Sequence, residues 1–194
     1  MRIVAGKHRG RAIAVPPGRD VRPTADRVRE AVFNSLCHGN ARIGDGDAVR
    51  GAIVLDAFAG TGAMGLEAVS RGAEHVTLMD IDPTALAACR RNVAALGEQD
   101  RVAVLGGDCL HAVRPARPCD LVFLDPPYRS GLAGAALAAL ADAGWIAPGA
   151  LCVAETAANE TVEAPDRFAV LDERRYGAAR ITYLTRSPAD GPPS

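Results

Sequence analysis

No run in this 194-residue chain is long and apolar enough to span a bilayer, and the opening Met1-Arg2-Ile3-Val4-Ala5-Gly6-Lys7 has no apolar signal-peptide core. A cytoplasmic protein with no membrane contact is expected. Cysteine is scarce. There are five, at 37, 89, 109, 119 and 152, an odd number with no C-x-x-C pair, and the four histidines do not join them at zinc-ligand spacing. Cys109 and His111 would supply two ligands without companions, so no metal is expected, only reduced and mostly buried thiols. Internal repeats are lacking too. What is present, 48% hydrophobic and 23% charged residues, fits one globular domain with a substantial core and a small appendage.

The net charge of -1 conceals a division near residue 30. Residues 1–29 hold eight cations (Arg2, Lys7, Arg9, Arg11, Arg19, Arg22, Arg27 and Arg29) against Asp20 and Asp26, a net of +6, while the remainder carries -7. Seven of those eight cations are arginine, whose planar fork grips phosphate bidentately. A basic segment on an acidic body is the pattern of a polyanion-docking arm.

Within that segment, Arg2 to Ala5 and Arg11 to Val15 flank Gly6-Lys7-His8-Arg9-Gly10, which predicts a β-hairpin with a cationic tip, ended by Pro16-Pro17-Gly18. Thr24 is a candidate N-cap for a helix over about 25–37, in which Val28, Ala31, Val32, Ser35 and Leu36 recur at helical spacing. Residues 38–50, rich in Gly and Asp, read as a linker. From residue 51 strands alternate with helices: strands at about 52–56, 75–80, 101–105 and 120–125, helices at 63–71, 83–96, 108–113 and 131–143. Strands near 150–155, 167–173 and 179–186 follow, with an antiparallel hairpin at the edge. The expected class is α/β, a mostly parallel seven-stranded Rossmann-like sheet with helices on both faces. The organisation expected is a basic extension over 1–50, a main domain over 51–187 and a frayed tail over 188–194.

In an open parallel sheet, ligands bind outside the carboxyl ends of the strands. Four such ends carry carboxylates here: Asp56, Asp80 with Asp82, Asp108 and Asp125. The first strand runs into Asp56-Ala57-Phe58-Ala59-Gly60-Thr61-Gly62-Ala63-Met64-Gly65, where Gly60 to Gly65 reads G-x-G-x-x-G. That match admits a dinucleotide, but Asp56 would repel a pyrophosphate and no Lys or Arg occurs between 56 and 70. S-adenosylmethionine fits better, since it has no phosphate and its ammonium would be attracted by a carboxylate. Asp80 is then placed for the ribose hydroxyls, with Asp82 the alternative, and Asp108 with the backbone around Cys109 for the adenine. Taken singly, Asp82 and Asp108 also read as helix N-caps.

After the apolar run Leu121-Val122-Phe123-Leu124 comes Asp125-Pro126-Pro127-Tyr128, a carboxylate, a carbonyl and an aromatic face side by side. An exocyclic amine on a nucleobase is a poor nucleophile because its lone pair is delocalised into the ring. Asp125 and the Pro126 carbonyl can take the two N–H bonds and localise that lone pair, Pro127 stiffens the turn, and Tyr128 can stack on the base. Neither Cys109 nor Cys119 is read as the nucleophile that cytosine-C5 methylation would demand.

With Asp56-Ala-Phe-Ala-Gly-Thr-Gly, Asp80-Ile-Asp82 and Asp125-Pro-Pro-Tyr128 in order, the chain resembles class I S-adenosylmethionine-dependent methyltransferases acting on base amines. Arg22-Pro23-Thr24-Ala25-Asp26-Arg27-Val28-Arg29-Glu30-Ala31-Val32-Phe33-Asn34, after Arg2-Ile3-Val4-Ala5-Gly6 and Arg9-Gly10-Arg11, resembles the bacterial 16S rRNA guanine-N2 methyltransferase family more narrowly. Gly65-Leu66-Glu67-Ala68, Ser70-Arg71-Gly72 and Gly144-Trp145 extend the likeness, whereas residues 157–175 carry little of it. The resemblance implies S-adenosylmethionine as methyl donor and, as substrate, one guanine of 16S rRNA within the small ribosomal subunit or its assembly intermediate. It also implies a monomer that docks RNA through Arg9, Arg11, Arg22, Thr24, Arg27 and Arg29 and captures the base with Pro127 and Tyr128. Adenine-N6 methylation of DNA, a dinucleotide-dependent oxidoreductase and a noncatalytic RNA-binding assembly factor are the alternatives.

Overall fold

The computed structural model describes residues 1–15, 23–38 and 46–188. The elements run α1 (Pro23–His38), β1 (Ile53–Ala57), α2 (Ala63–Ser70), β2 (His75–Asp80), α3 (Pro83–Leu96), β3 (Val102–Gly106), a 3₁₀ turn (Cys109–His111), β4 (Cys119–Leu124), α4 (Leu132–Asp142), β5 (Ile146–Ala157), β6 (Phe168–Tyr176) and β7 (Ala179–Arg186). The seven strands form one mixed sheet in the order β3-β2-β1-β4-β5-β7-β6. β1 to β5 pair in parallel, and β7 lies antiparallel between β5 and the edge strand β6. This is the Rossmann-like sheet expected, and the reversal of strand order between β2-β1 and β4-β5 opens the crevice where such folds bind ligands.

Local chemistry sets most boundaries. α3 starts where Asp82 accepts the Thr84 N–H with Pro83 next in line, and it stops at Gly97 in the left-handed conformation. The helix expected over 108–113 is instead a single 3₁₀ turn, Cys109–His111, which opens on the Asp108 cap and gives way to extended backbone at Ala112, with Pro115 and Pro118 following. β5 begins four residues earlier than the expected 150, and the register with β4 jumps between the Cys119–Ile146 and Leu121–Leu151 pairs. Pro148 and Gly149 sit in that jump, where a missing N–H costs no ladder bond.

The strands' two-residue period divides the core. Val54, Leu78, Leu121, Phe123 and Val153 face one cluster, with α2, α3 and the α1 residues Val28, Val32, Phe33 and Leu36. Leu55, Met79, Val122, Leu124 and Ala154 face the other, under α4 and Trp145. Ile3 and Ile13 belong to the first cluster as well. Residue 50 therefore does not separate two cores, and the N-terminal segment is packed into the body.

The expected hairpin is reduced to one antiparallel bridge, Arg2 with Ala12. Its tip is not a free cationic loop. Lys7 N–H donates to the Ser70 carbonyl at 2.8 Å, His8 N–H to Ser70 Oγ at 3.0 Å, and Lys7 Nζ pairs with Glu98 at 3.1 Å. Gly6 permits this contact: its φ is +79°, and a Cβ there would lie 1.9 Å from the Ser70 carbonyl oxygen. Pro16 to Gly18, Arg19, Arg22, residues 39–45 of the linker and residues 189–194 of the tail lie outside the described residues. No helix among the described residues is long and apolar enough to cross a membrane.

Candidate active site

The turn after β1 is held by two carboxylates. Asp56 Oδ2 accepts the Gly65 N–H and Asp80 Oδ2 the Gly60 N–H, each at 2.8 Å, while Ala59 N–H reaches back to the Met79 carbonyl at 2.9 Å. Phe58 is bent to φ 66° in this turn, a conformation unusual for any residue but glycine. Gly62 is left-handed too, and a Cβ there would press on Leu78 Cδ1 at 2.8 Å. Only 3% of Asp56 is exposed, and burial pushes its carboxyl up to about 7, with the charge of Asp80 adding to the rise and the Gly65 N–H opposing it. Asp56, a candidate cofactor contact that lines the cleft, also anchors the turn.

Asp80 is half-buried, and its Oδ1 also accepts the Asp82 N–H at 2.9 Å. Asp82 caps α3, as the N-cap alternative anticipated. Asp108 uses its carboxylate on its own turn, accepting from Leu110 N–H at 2.9 Å and meeting His111 Nδ1 at 2.8 Å, which lowers its pKa. Cys109 is buried, with burial pushing its thiol up to about 11.

On the neighbouring strand β4, the chain leaves the core at Leu124 and presents Asp125 at the surface, with Pro126 buried behind it and Tyr128 39% exposed. The Tyr128 hydroxyl donates to Glu155 Oε1 at 2.7 Å. Arg129, at φ 60°, is the second non-glycine residue with a left-handed backbone, and its N–H donates to Glu160 Oε2 at 2.7 Å. Glu160 also accepts from Gly131 N–H at 3.2 Å, and these backbone donors hold its carboxyl below the usual range. The loop after Asp125 is thus tied down from the end of β5.

Both halves of the rim open on one cleft of about 690 Å³, which Asp56, Phe58, Gly60, Asp80, Asp82, Asp125, Pro126, Pro127 and Tyr128 all line. Of the remaining cofactor candidates, Ala57, Gly62, Asp108 and Cys109 do not line it. Sequence reading missed several of the walls. Met1, Val28 and Val32 close the cleft from the N-terminal segment, Ile81 adds an apolar side chain that is 71% exposed, and Glu155 adds a carboxylate. Glu155 was within reach of the strand-end rule, since it stands at the end of the strand expected over 150–155.

The candidate RNA contacts divide. Arg9, Arg11 and Arg27 are exposed, with Arg11 also donating to the Ala95 carbonyl. Arg29, expected on the polar side of α1, is corrected: it is 3% exposed, its guanidinium lies between Asp26 and the fully buried Glu67, and it donates to the Arg2 carbonyl at 2.6 Å. Glu67 accepts the Val4 and Ala5 N–H groups, and its buried charge is met by Arg71 at 2.8 Å and, as a second cation, by Arg29 at 3.7 Å. The Arg22 position and the Thr24 side chain lie outside the described residues.

All five cysteines are free thiols. Cys119 does follow a proline, Pro118, but it opens β4 at the end away from the rim, is 1% exposed, and burial pushes its thiol up to about 12. It is no nucleophile for this cleft.

A family model described as "Conserved hypothetical protein 95" matches residues 1–185. A ribosomal RNA small subunit methyltransferase D of Haemophilus influenzae is 33% identical over 181 residues, covering 91% of this chain and 89% of that one. The Escherichia coli K12 protein of the same description is 37% identical, covering 80% and 74%. Among solved structures, a putative methyltransferase from Escherichia coli superposes with a TM-score of 0.79 at 35% identity, covering 97% of this chain and 98% of its own. A putative methylase from Haemophilus influenzae gives 0.76 at 30% identity, covering 96% and 98%. The chain therefore belongs to the conserved hypothetical protein 95 family, within the class I S-adenosylmethionine-dependent methyltransferases.

Proposed function

We propose that the protein transfers a methyl group from S-adenosylmethionine to the exocyclic N2 amine of one guanine in 16S rRNA of the small ribosomal subunit. The observation that carries this reading is the sharing of one cleft by the glycine turn and Asp125. The names of the rRNA-modifying relatives support the substrate class.

The residues present suit the donor. Between 56 and 70 there is no Lys or Arg to neutralise a pyrophosphate, and Arg29, the one arginine among the described residues that line the cleft, is already engaged by Asp26 and Glu67. Asp80, half-exposed on the cleft, is suited to ribose hydroxyls, and Ile81 offers an apolar face to a purine. When bound, the cofactor supplies a sulfonium methyl, an electrophile that needs no covalent enzyme intermediate.

The chain's own groups orient and stabilise. Asp125 and the Pro126 carbonyl accept the two N–H bonds of the amine, which turns its lone pair out of conjugation. Tyr128 covers one face of the base. Positive charge builds on the amine nitrogen as the new bond forms, and the Asp125 carboxylate beside it stabilises that charge. The surplus proton then leaves to Asp125 or to water, so no strongly tuned base is needed. The exposed Arg9, Arg11 and Arg27 are assigned to RNA phosphates, and an unpaired or flipped guanine enters the cleft.

Labelled S-adenosylmethionine incubated with small ribosomal subunits, naked rRNA and duplex DNA tests this. N2-methylguanosine in the subunit digest is expected; label confined to N6-methyladenosine in DNA, or no label anywhere, overturns it.

A further inference from the structure

β4 and β5 run in parallel and pair as far as Leu124 with Ala154, so Asp125 is the first residue beyond β4, and Glu155 is the next residue along β5, which continues to Ala157. Both line the cleft. Glu155 is half-buried, and the 2.7 Å bond from the Tyr128 hydroxyl holds its carboxylate against the ring assigned to stack on the base. An ionised carboxylate only accepts, and it offers about four lone-pair sites.

Asp125 by itself does not choose between purines, because guanine and adenine both offer an exocyclic NH2. The neighbouring ring position does. Guanine carries N1–H beside its N2 amine, a donor next to donors. Adenine carries a bare N1 lone pair beside its N6 amine. A second carboxylate placed next to the amine's acceptor would gain a hydrogen bond from guanine N1–H and face lone-pair repulsion from adenine N1, which is discrimination by attraction and rejection together.

Resting on the guanine reading above, we infer that Glu155 is the specificity-determining residue that selects guanine over adenine, by accepting from guanine N1–H while Asp125 holds the N2 amine. The Tyr128 hydroxyl aims the Glu155 carboxylate, so the residue that stacks on the base also orients its reader.

The test is Glu155→Gln, assayed on small subunits carrying either guanine or adenine at the nucleotide that the wild-type protein methylates. The amide keeps the size of the side chain and can still accept from Tyr128, but its NH2 opposes guanine N1–H and suits adenine N1. The guanine kcat/KM should fall by about 10–100-fold and the guanine-to-adenine preference should shrink by at least about tenfold, the range expected for one well-placed base contact. Affinity for S-adenosylmethionine, measured by calorimetry, should stay within about threefold because the loss is confined to the base. Tyr128→Phe removes the aiming hydroxyl alone and should reduce the preference for guanine by a smaller factor than Glu155→Gln; a larger reduction than in Glu155→Gln overturns the assignment of Glu155 as the reader. An unchanged preference in Glu155→Gln, or an equal fall on both bases, overturns the inference while leaving the proposed function standing. A wild-type protein that makes no N2-methylguanosine overturns both.

Discussion

β1 and β4 lie side by side, Ala57 opposite Leu124, and each delivers an aspartate at the rim, yet the two carboxylates have opposite surroundings. Asp56, the residue before Ala57, is 3% exposed and bonded to the Gly65 N–H; Asp125, the residue after Leu124, is exposed on the cleft. Two positions along the strand direction separate the buried anchor from the exposed carboxylate. The cofactor half of the rim uses its acids to hold backbone: Asp56 on Gly65, Asp80 on Gly60 and Asp82, Asp82 on Thr84. The half proposed for the substrate has Asp125 and Glu155 lining the cleft, and its loop is held by Glu160 on backbone and by Glu155 on the Tyr128 hydroxyl. The lesson is one of burial: of two aspartates on neighbouring strands, the one inside the sheet is used to hold the turn, and the one beyond the last paired residue is open to the cleft.

Removing the reactive member should have the largest effect. Asp125→Ala is expected to cut single-turnover methyl transfer by roughly 100–1,000-fold, the scale of losing one preorganised electrostatic partner of a transition state. Calorimetric affinity for S-adenosylmethionine should be nearly unchanged. Normal turnover in this variant would erase the distinction between the two aspartates.

The anchor should respond through stability and pH. Burial raises the Asp56 carboxyl from 3.8 to about 7, so between those values the folded state binds more protons than the unfolded one. Stability is then full at low pH and declines as pH rises through that window, by an amount on the order of a few kcal/mol. Asp56→Asn keeps an oxygen to accept the Gly65 N–H and carries no charge, so the decline should flatten. Urea unfolding of both proteins at about pH 4.5 and about pH 8 reads the difference. Identical slopes would mean that Asp56 is solvated and resembles Asp125 after all.

The cations repeat the contrast on a smaller scale, Arg29 turned inward to Glu67, Arg9 and Arg27 turned out. Reversing both outward residues, Arg9→Glu with Arg27→Glu, should weaken binding to small subunits and make the salt dependence shallower by about 0.7 per lost phosphate contact. Folding and cofactor affinity should be unaffected. Equal loss of cofactor affinity would assign these arginines a structural role like that of Arg29.

Much of the fold could be read directly. The Asp82-Pro83 start and Gly97 stop bracket α3, and the apolar run 121–124 ahead of Asp125 marks β4 and its end. Signals of that kind are local, carried by residues adjacent in the chain. The 3₁₀ turn escaped because Asp108 signals the start of a turn without fixing its length, and the early start of β5 escaped because it depends on pairing with β4. Arg29 escaped for a related reason. Its helical position was predictable, but its partner Glu67 lies far along the chain, and charge pattern alone cannot tell a cation facing solvent from one facing a buried acid.

Composition, period and motif order were enough to determine the class of sheet, the rim on which the chemistry sits and the pair of motifs that meet there, because strand alternation and turn chemistry act over a few residues. Tertiary structure alone decided which carboxylates are consumed as backbone anchors, that Met1, Val28 and Val32 wall the cleft, and that Glu155 stands beside Asp125. Those outcomes follow from burial and from register between strands, and neither exists until distant segments have packed.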